Sequence, residues 1–167
     1  MPGFDIHPIL VHFPIALLSV YALMEVLRFT FITRQQYWFY VKATFAIIGS
    51  LMTIPTGLAG KLAETHLLGS HRIVSVHSTF AEFSAAIFLC IGALYVLAWV
   101  RQYKQSKNEL FVAACHIQQF IFEKNIIILL ALVGLVLITI TGELGGLIVF
   151  GPNIDPMSQF LFNTFFK

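Results

Sequence analysis

Histidine is the residue type in this chain most able to do chemistry, and it is unevenly placed. Five of the six histidines fall in two short stretches: His7 and His12 in HPILVHFPIALL (7–18), and His66, His71 and His77 between residues 66 and 77. His116 stands alone. A neutral imidazole presents a nitrogen lone pair that takes a metal or a proton near neutral pH. His7 and His12 are five residues apart, as are His66 and His71, and His77 follows after six. None of these is the i, i+4 spacing that lines up on one helical face, so ligands from separate helices fit better than a local chelate. Three carboxylates, Glu25, Glu82 and Glu143, also sit in or near apolar runs. Imidazole with carboxylate suits iron, zinc or manganese, and it suits proton transfer. His77 and Glu82 lie about 140° apart around a helix, which weakens a shared cluster.

These groups are carried by a membrane protein. Hydrophobic residues make up 58% of the 167 positions and charged residues 11%, against about half and about a quarter in a soluble domain. A net charge of +2 is far too small for a nucleic-acid-binding surface. Four segments are long and apolar enough to span a bilayer, about 8–33, 37–60, 72–100 and 121–149. The connections are short except for RQYKQSKNELFVAACHIQQF (101–120), whose amphipathic end either lies at the interface or extends the fourth helix. No repeat of 20–50 residues appears, and no Pro/Ser-rich linker divides the chain. Residues 1–167 therefore read as one all-α domain, a four-helix up-down transmembrane bundle. The N-terminus lacks a basic region followed by a cleavage site, so the first apolar segment is expected to be retained. Cys90 and Cys115 form no CxxC pair, and Cys90, inside an apolar run, reads as a small core residue.

Such a bundle has two ends. Arg28, Arg34, Lys42, Arg101, Lys104, Lys107 and Lys124 fall at one, and Lys61, Arg72 and Lys167 at the other. The more basic end is expected to face the cytoplasm. Both termini, and every histidine except His116, then lie on the outward, periplasmic side of a bacterial inner membrane. Antiparallel threading brings His12 and His77 to one level, each roughly 6–8 Å below its helix start. Helices 1 and 3 are diagonal in a cyclic bundle, so the two imidazoles can face each other across the axis. At that depth helices 2 and 4 read TIPTGLAG (53–60) and TGELGG (141–146), which include Gly57, Gly145 and Gly146. Small residues allow close helix approach, or they leave room for a flat, bulky group.

Imidazoles on one diagonal and small residues on the other are what bis-histidine haem ligation requires, with His12 and His77 as the ligands. Arg72 and Lys61, near the rim, suit the propionates. Each ligand also needs an acceptor for its second ring nitrogen, which the sequence does not identify. His7 precedes Pro8 and fits a helix-start role. A shift of one turn at either helix start would bring His7 or His71 in as ligand instead. His116, beside an amphipathic stretch, reads as surface. The bundle therefore has one haem site at most, unless His7 and His71 support another.

HPILVHFPIALL, together with GELGGLIVFG (142–151), resembles a family of bacterial membrane proteins known as domain of unknown function 2231. The resemblance spans nearly the whole chain and rests on His7, Pro8, Val11, His12, Phe13, Pro14, Gly145 and Gly146. It implies a four-helix membrane protein, and a redox role, because relatives are sometimes fused to cytochrome c-type domains. The plan is also similar to that of cytochrome b bundles with diagonal histidines. A second histidine pair, at the cytoplasmic end, is where this chain departs from a two-haem bundle: it has none.

The expected protein is thus a membrane b-type cytochrome-like subunit binding one haem b near the periplasmic face. It would contact membrane lipids and exchange single electrons with a periplasmic cytochrome c or a quinol, within a larger redox complex. One rival is a non-haem transition-metal or proton-handling protein using the same histidines with Glu82 or Glu143. The other is a structural subunit without a cofactor. The tail GPNIDPMSQFLFNTFFK (151–167) either lies at the outer interface or contacts a partner.

Overall fold

A computed structural model describes residues 6–27, 33–35, 37–66, 71–103, 108–153 and 155–167, without the side chains of His66 and His71. Among the described residues the chain is helical, with no strand: α1 (His7–Leu10), α2 (His12–Val26), α3 (Trp38–His66), α4 (His71–Tyr103), α5 (Glu109–Glu123), α6 (Ile126–Phe150) and α7 (Pro156–Phe166). Four stretches are long and apolar enough to cross a membrane: His7–Val26, Trp38–Thr65, Arg72–Tyr103 and Ile126–Phe150. Only 22–28% of each is buried inside the protein, so most of the apolar surface is left for lipid. The protein is a multi-pass, all-α membrane bundle.

Two boundaries differ from the expected ones. The first span ends at Val26 rather than near 33, because Leu27 turns to extended backbone (φ −80, ψ 90). The fourth begins at Ile126 rather than 121, because Asn125 takes a left-handed conformation (φ 57), which asparagine tolerates better than most residues. The amphipathic piece before it is a helix of its own, α5, capped by Asn108, whose side chain accepts the Phe111 N–H at 3.2 Å.

α1 and α2 make one apolar span, with Val11 between them in helical backbone (φ −61, ψ −29). Pro14 has no N–H to give to the Leu10 carbonyl one turn back. The Thr56 hydroxyl lies 3.4 Å from that carbonyl but 2.8 Å from the Met52 carbonyl of its own helix, which takes its proton.

The four spanning helices form a ring in which α2 and α4 each pack against both α3 and α6. This makes α2 and α4 one diagonal and α3 and α6 the other. The ring is built from two copies of one hairpin. Adding 70 to His7 and Leu18 gives His77 and Phe88, and adding 85 to Gly49, Thr56 and Gly60 gives Gly134, Thr141 and Gly145. The pairs do the same job in each copy. A Cβ on Gly49 would meet Leu18 at 2.7 Å, and one on Gly134 would meet Phe88 at 2.7 Å, so each large side chain beds on a glycine of its own hairpin. Burial matches residue by residue over 11–23 and 81–93. The two offsets differ by the length of α5, 15 residues, which is inserted in the second hairpin only. That insertion, and a spacing beyond 50 residues, hid the repeat from the sequence.

The core runs along the ring's axis: Leu18, Tyr21, Ala22, Ala46, Phe88, Ile91, Ala131 and Ile138 are among its buried members. Cys90, expected there, is exposed on α4, whereas Cys115 on α5 is buried. Cys90 is the repeat partner of exposed Val20, so this position faces outward in both hairpins. A second cluster, Leu144, Leu147 and Leu161 with Val76, Phe80, Phe162, Phe165 and Phe166, docks α7 onto α4 and α6. The C-terminal tail thus folds back on the bundle's own second hairpin. Asp155 caps α7, accepting the N–H groups of Met157 and Ser158 at 2.8 and 2.9 Å.

Candidate functional site

At the histidine end, each hairpin makes one and the same arrangement. His7 Nδ1 lies 3.1 Å from the carbonyl of Thr56 on α3. His77 Nδ1 lies 3.0 Å from the carbonyl of Thr141 on α6. A carbonyl only accepts, so each ring must be protonated on Nδ1, and its neutral form carries the lone pair on Nε2. The rings lean on glycine: a Cβ on Gly60 would come within 3.0 Å of His7 Cε1, and one on Gly145 within 3.4 Å of His77 Cε1. Both imidazoles are partly buried. Thr-Gly-x-x-Gly on the second helix of each hairpin is therefore the cradle for the histidine near the start of the first.

His12 is placed differently. It is exposed, and its Nδ1 lies 2.6 Å from the Pro8 carbonyl of its own chain segment, one turn back. Depth along the axis favoured His12 as the partner of His77, but depth says nothing of the direction a residue faces. By repeat position His12 corresponds to Glu82, which is also exposed. The residue equivalent to His77 is His7. The side chain of His71, at the start of α4, lies outside the described residues, as does that of His66.

The other expected contributors are dispersed. Gly145 touches the His77 ring, whereas Gly57 and Gly146 have nothing within 4 Å of a Cβ position. Gly57 is exposed, so it borders no ring. Arg72 is exposed and stacks over Phe166 of α7, 5.8 Å from the ring centre. Lys61 pairs loosely with Glu82 at 3.8 Å, both exposed. Glu143 faces Ser158 of α7, whose hydroxyl lies 3.0 Å from its Oε2 and 2.9 Å from Asp155 Oδ2. Among the described residues no three metal-ligating side chains cluster. Among the described side chains, neither Glu82 nor Glu143 joins a histidine. His116 is exposed on α5, as its amphipathic setting implied.

The sequence reading missed the Thr56 and Thr141 carbonyls, although TGLAG and TGELG repeat the same Thr-Gly-x-x-Gly. It also left Glu25 without partners. Glu25 is 1% exposed near the opposite end of the bundle. Lys42 Nζ of α3 lies 3.0 Å from each of its oxygens, and the hydroxyls of Tyr21 (3.2 Å) and Tyr95 donate to its Oε1. Four hydrogen bonds from three helices satisfy the carboxylate fully, as a buried charge needs.

The comparisons with known proteins agree with this architecture. A family model described as predicted membrane protein, DUF2231, matches residues 3–155. The chain belongs to the DUF2231 family. The DUF2231 match contains both hairpins, both histidine cradles and Glu25, and stops just before α7. None of the curated proteins or solved structures compared matches the chain.

Proposed function

We propose that the histidine end binds one haem b between His7 and His77, and that the protein transfers electrons within a membrane redox complex. The observation that carries the reading is the matched pair of imidazoles on diagonal helices, each fixed as the Nδ1–H tautomer by a backbone carbonyl. Metal-ligating histidines nearly always give their other N–H to a carbonyl or carboxylate, which orients the ring and raises its basicity. His7 and His77, each presenting a neutral nitrogen lone pair, would hold the haem iron. His7 replaces His12 as the favoured ligand because His12 is exposed and turned back on its own segment.

When bound, the haem supplies a one-electron couple whose potential depends on its axial ligands and burial. The chain's own residues do the rest. Thr56 and Thr141 hold the two rings in one tautomer. Gly60 and Gly145 let the rings approach the helix backbones. The phenylalanines of α7 pack against Val76 and Phe80, the neighbours of His77 on α4. The excess of basic residues at the other end supports an orientation with the histidines on the periplasmic side of a bacterial inner membrane. There a soluble cytochrome c, or a quinol in the bilayer, is the electron partner.

The test is a reduced-minus-oxidised absorption spectrum of the purified full-length protein. A Soret and α-band difference with one haem per chain is expected, and it should vanish in His77→Ala. A flat difference spectrum would reject the haem. Stoichiometric zinc or copper in its place would favour the non-haem rival.

A further inference from the structure

Glu25 is buried among spanning helices, where charged groups are costly and mark functional sites by default, and its partner Lys42 is half-buried. It borders a cavity of about 260 Å³ lined by Met24, Glu25, Thr33, Trp38 and Lys42. The cavity lies between the last turn of α2 and the first turn of α3, at a boundary of the spanning segments. Glu25 is 18 residues beyond His7, about 27 Å along the bundle, so this pocket is separate from the histidine pair.

The chemistry of the lining narrows the occupant. Lys42 gives two of its three N–H donors to the two Glu25 oxygens, so the pair presents no net charge. An anionic headgroup would meet the carboxylate, and a cation would meet the ammonium. A neutral group with an acceptor oxygen fits the third N–H of Lys42, which is itself 17% exposed. Trp38 and Met24 supply an aromatic and an adaptable apolar wall. The volume is just below the range of about 300–1,000 Å³ common for drug-sized ligands, enough for a single ring. We propose that this pocket binds the headgroup of a lipid-soluble quinone, its carbonyl oxygen on Lys42 and its ring beside Trp38. The claim is one of binding and stands whether or not haem is present.

Trp38 and Trp99 are the chain's two tryptophans, so Trp99→Phe leaves Trp38 as the single fluorescent reporter. The full-length Trp99→Phe protein, in nanodiscs of phosphatidylcholine, is titrated with a ubiquinone carrying one isoprenoid unit. Saturable quenching of Trp38 is expected. Met24→Phe, which fills the cavity, should raise the midpoint by about tenfold or more, the equivalent of one good contact. The neutral pair Glu25→Gln with Lys42→Met should do the same by removing the donor without leaving a lone buried charge. Met24→Phe keeps the test decisive if the double variant does not fold. Quenching that rises linearly with quinone, or an unchanged midpoint in Met24→Phe, overturns the proposal. So does displacement of the quinone by phosphatidylglycerol added to the discs, which would make the pocket an anionic-lipid site.

Discussion

The two hairpins share one plan but sit in different surroundings. In the first, the histidine opens the spanning segment at α1, and the Thr56 carbonyl of α3 accepts its Nδ1–H. In the second, the histidine lies six residues into a continuous helix, between Val76 and Phe80, which pack against α7. What both retain is the ring, the carbonyl that fixes it and the glycine it rests on. At the opposite end the likeness fails: the repeat partner of Glu25 is Tyr95, and that of Lys42 is Ile127. A repeated fold can thus hold a paired site where its two halves agree and a single polar site where they diverge.

Substitutions can break this comparison, beginning with the largest effect. Glu25→Ala leaves Lys42 and two tyrosine hydroxyls unserved, and removing one partner of a buried pair costs about 3–5 kcal/mol. Thermal unfolding in detergent should show that loss, while Glu25→Gln with Lys42→Met stays near wild type. A milder, asymmetric pair is Gly60→Ala and Gly145→Ala. The new methyl would press His7 Cε1 at 3.0 Å but meet His77 at an ordinary 3.4 Å. Haem retention during purification should therefore fall in Gly60→Ala, and Gly145→Ala should be tolerated, since alanine adds about 1 kcal/mol of helix propensity. Equal losses would contradict the difference between the two cradles.

The α7 cover offers a pH test. The backbone N–H and hydroxyl of Ser158 hold the Asp155 carboxyl below its ordinary value. A depressed folded value means that this cap stabilises α7 fully above the usual carboxylate range. The contribution is lost as pH falls through the lowered value. Limited proteolysis near the C-terminus should accelerate only on acidification, and Asp155→Asn should flatten that dependence. The smallest effect is expected for His12→Ala, whose ring touches only its own segment.

Much of the fold was legible because hydropathy and length alone define spanning helices, and short connections force an antiparallel ring. The ends of the first and fourth spans were not, since they depend on the backbone of Leu27 and Asn125 rather than on apolar content. The site was half legible. His77, the diagonal geometry and Gly145 follow from counting turns, but counting depth cannot say which way His7 and His12 face. The acceptors for His7 and His77, the Thr56 and Thr141 carbonyls, are backbone atoms, signalled only by the shared Thr-Gly-x-x-Gly of TGLAG and TGELG. Glu25 was visible as a carboxylate in an apolar run, yet its partners come from α2, α3 and α4, so only packing reveals the pair.

The measurement that bears most directly on the central claim compares His7→Ala with His12→Ala by reduced-minus-oxidised absorption spectroscopy, each purified in parallel with wild type. The account predicts that the haem bands disappear from His7→Ala and persist at wild-type stoichiometry in His12→Ala. Bands that survive in His7→Ala and vanish in His12→Ala would contradict it.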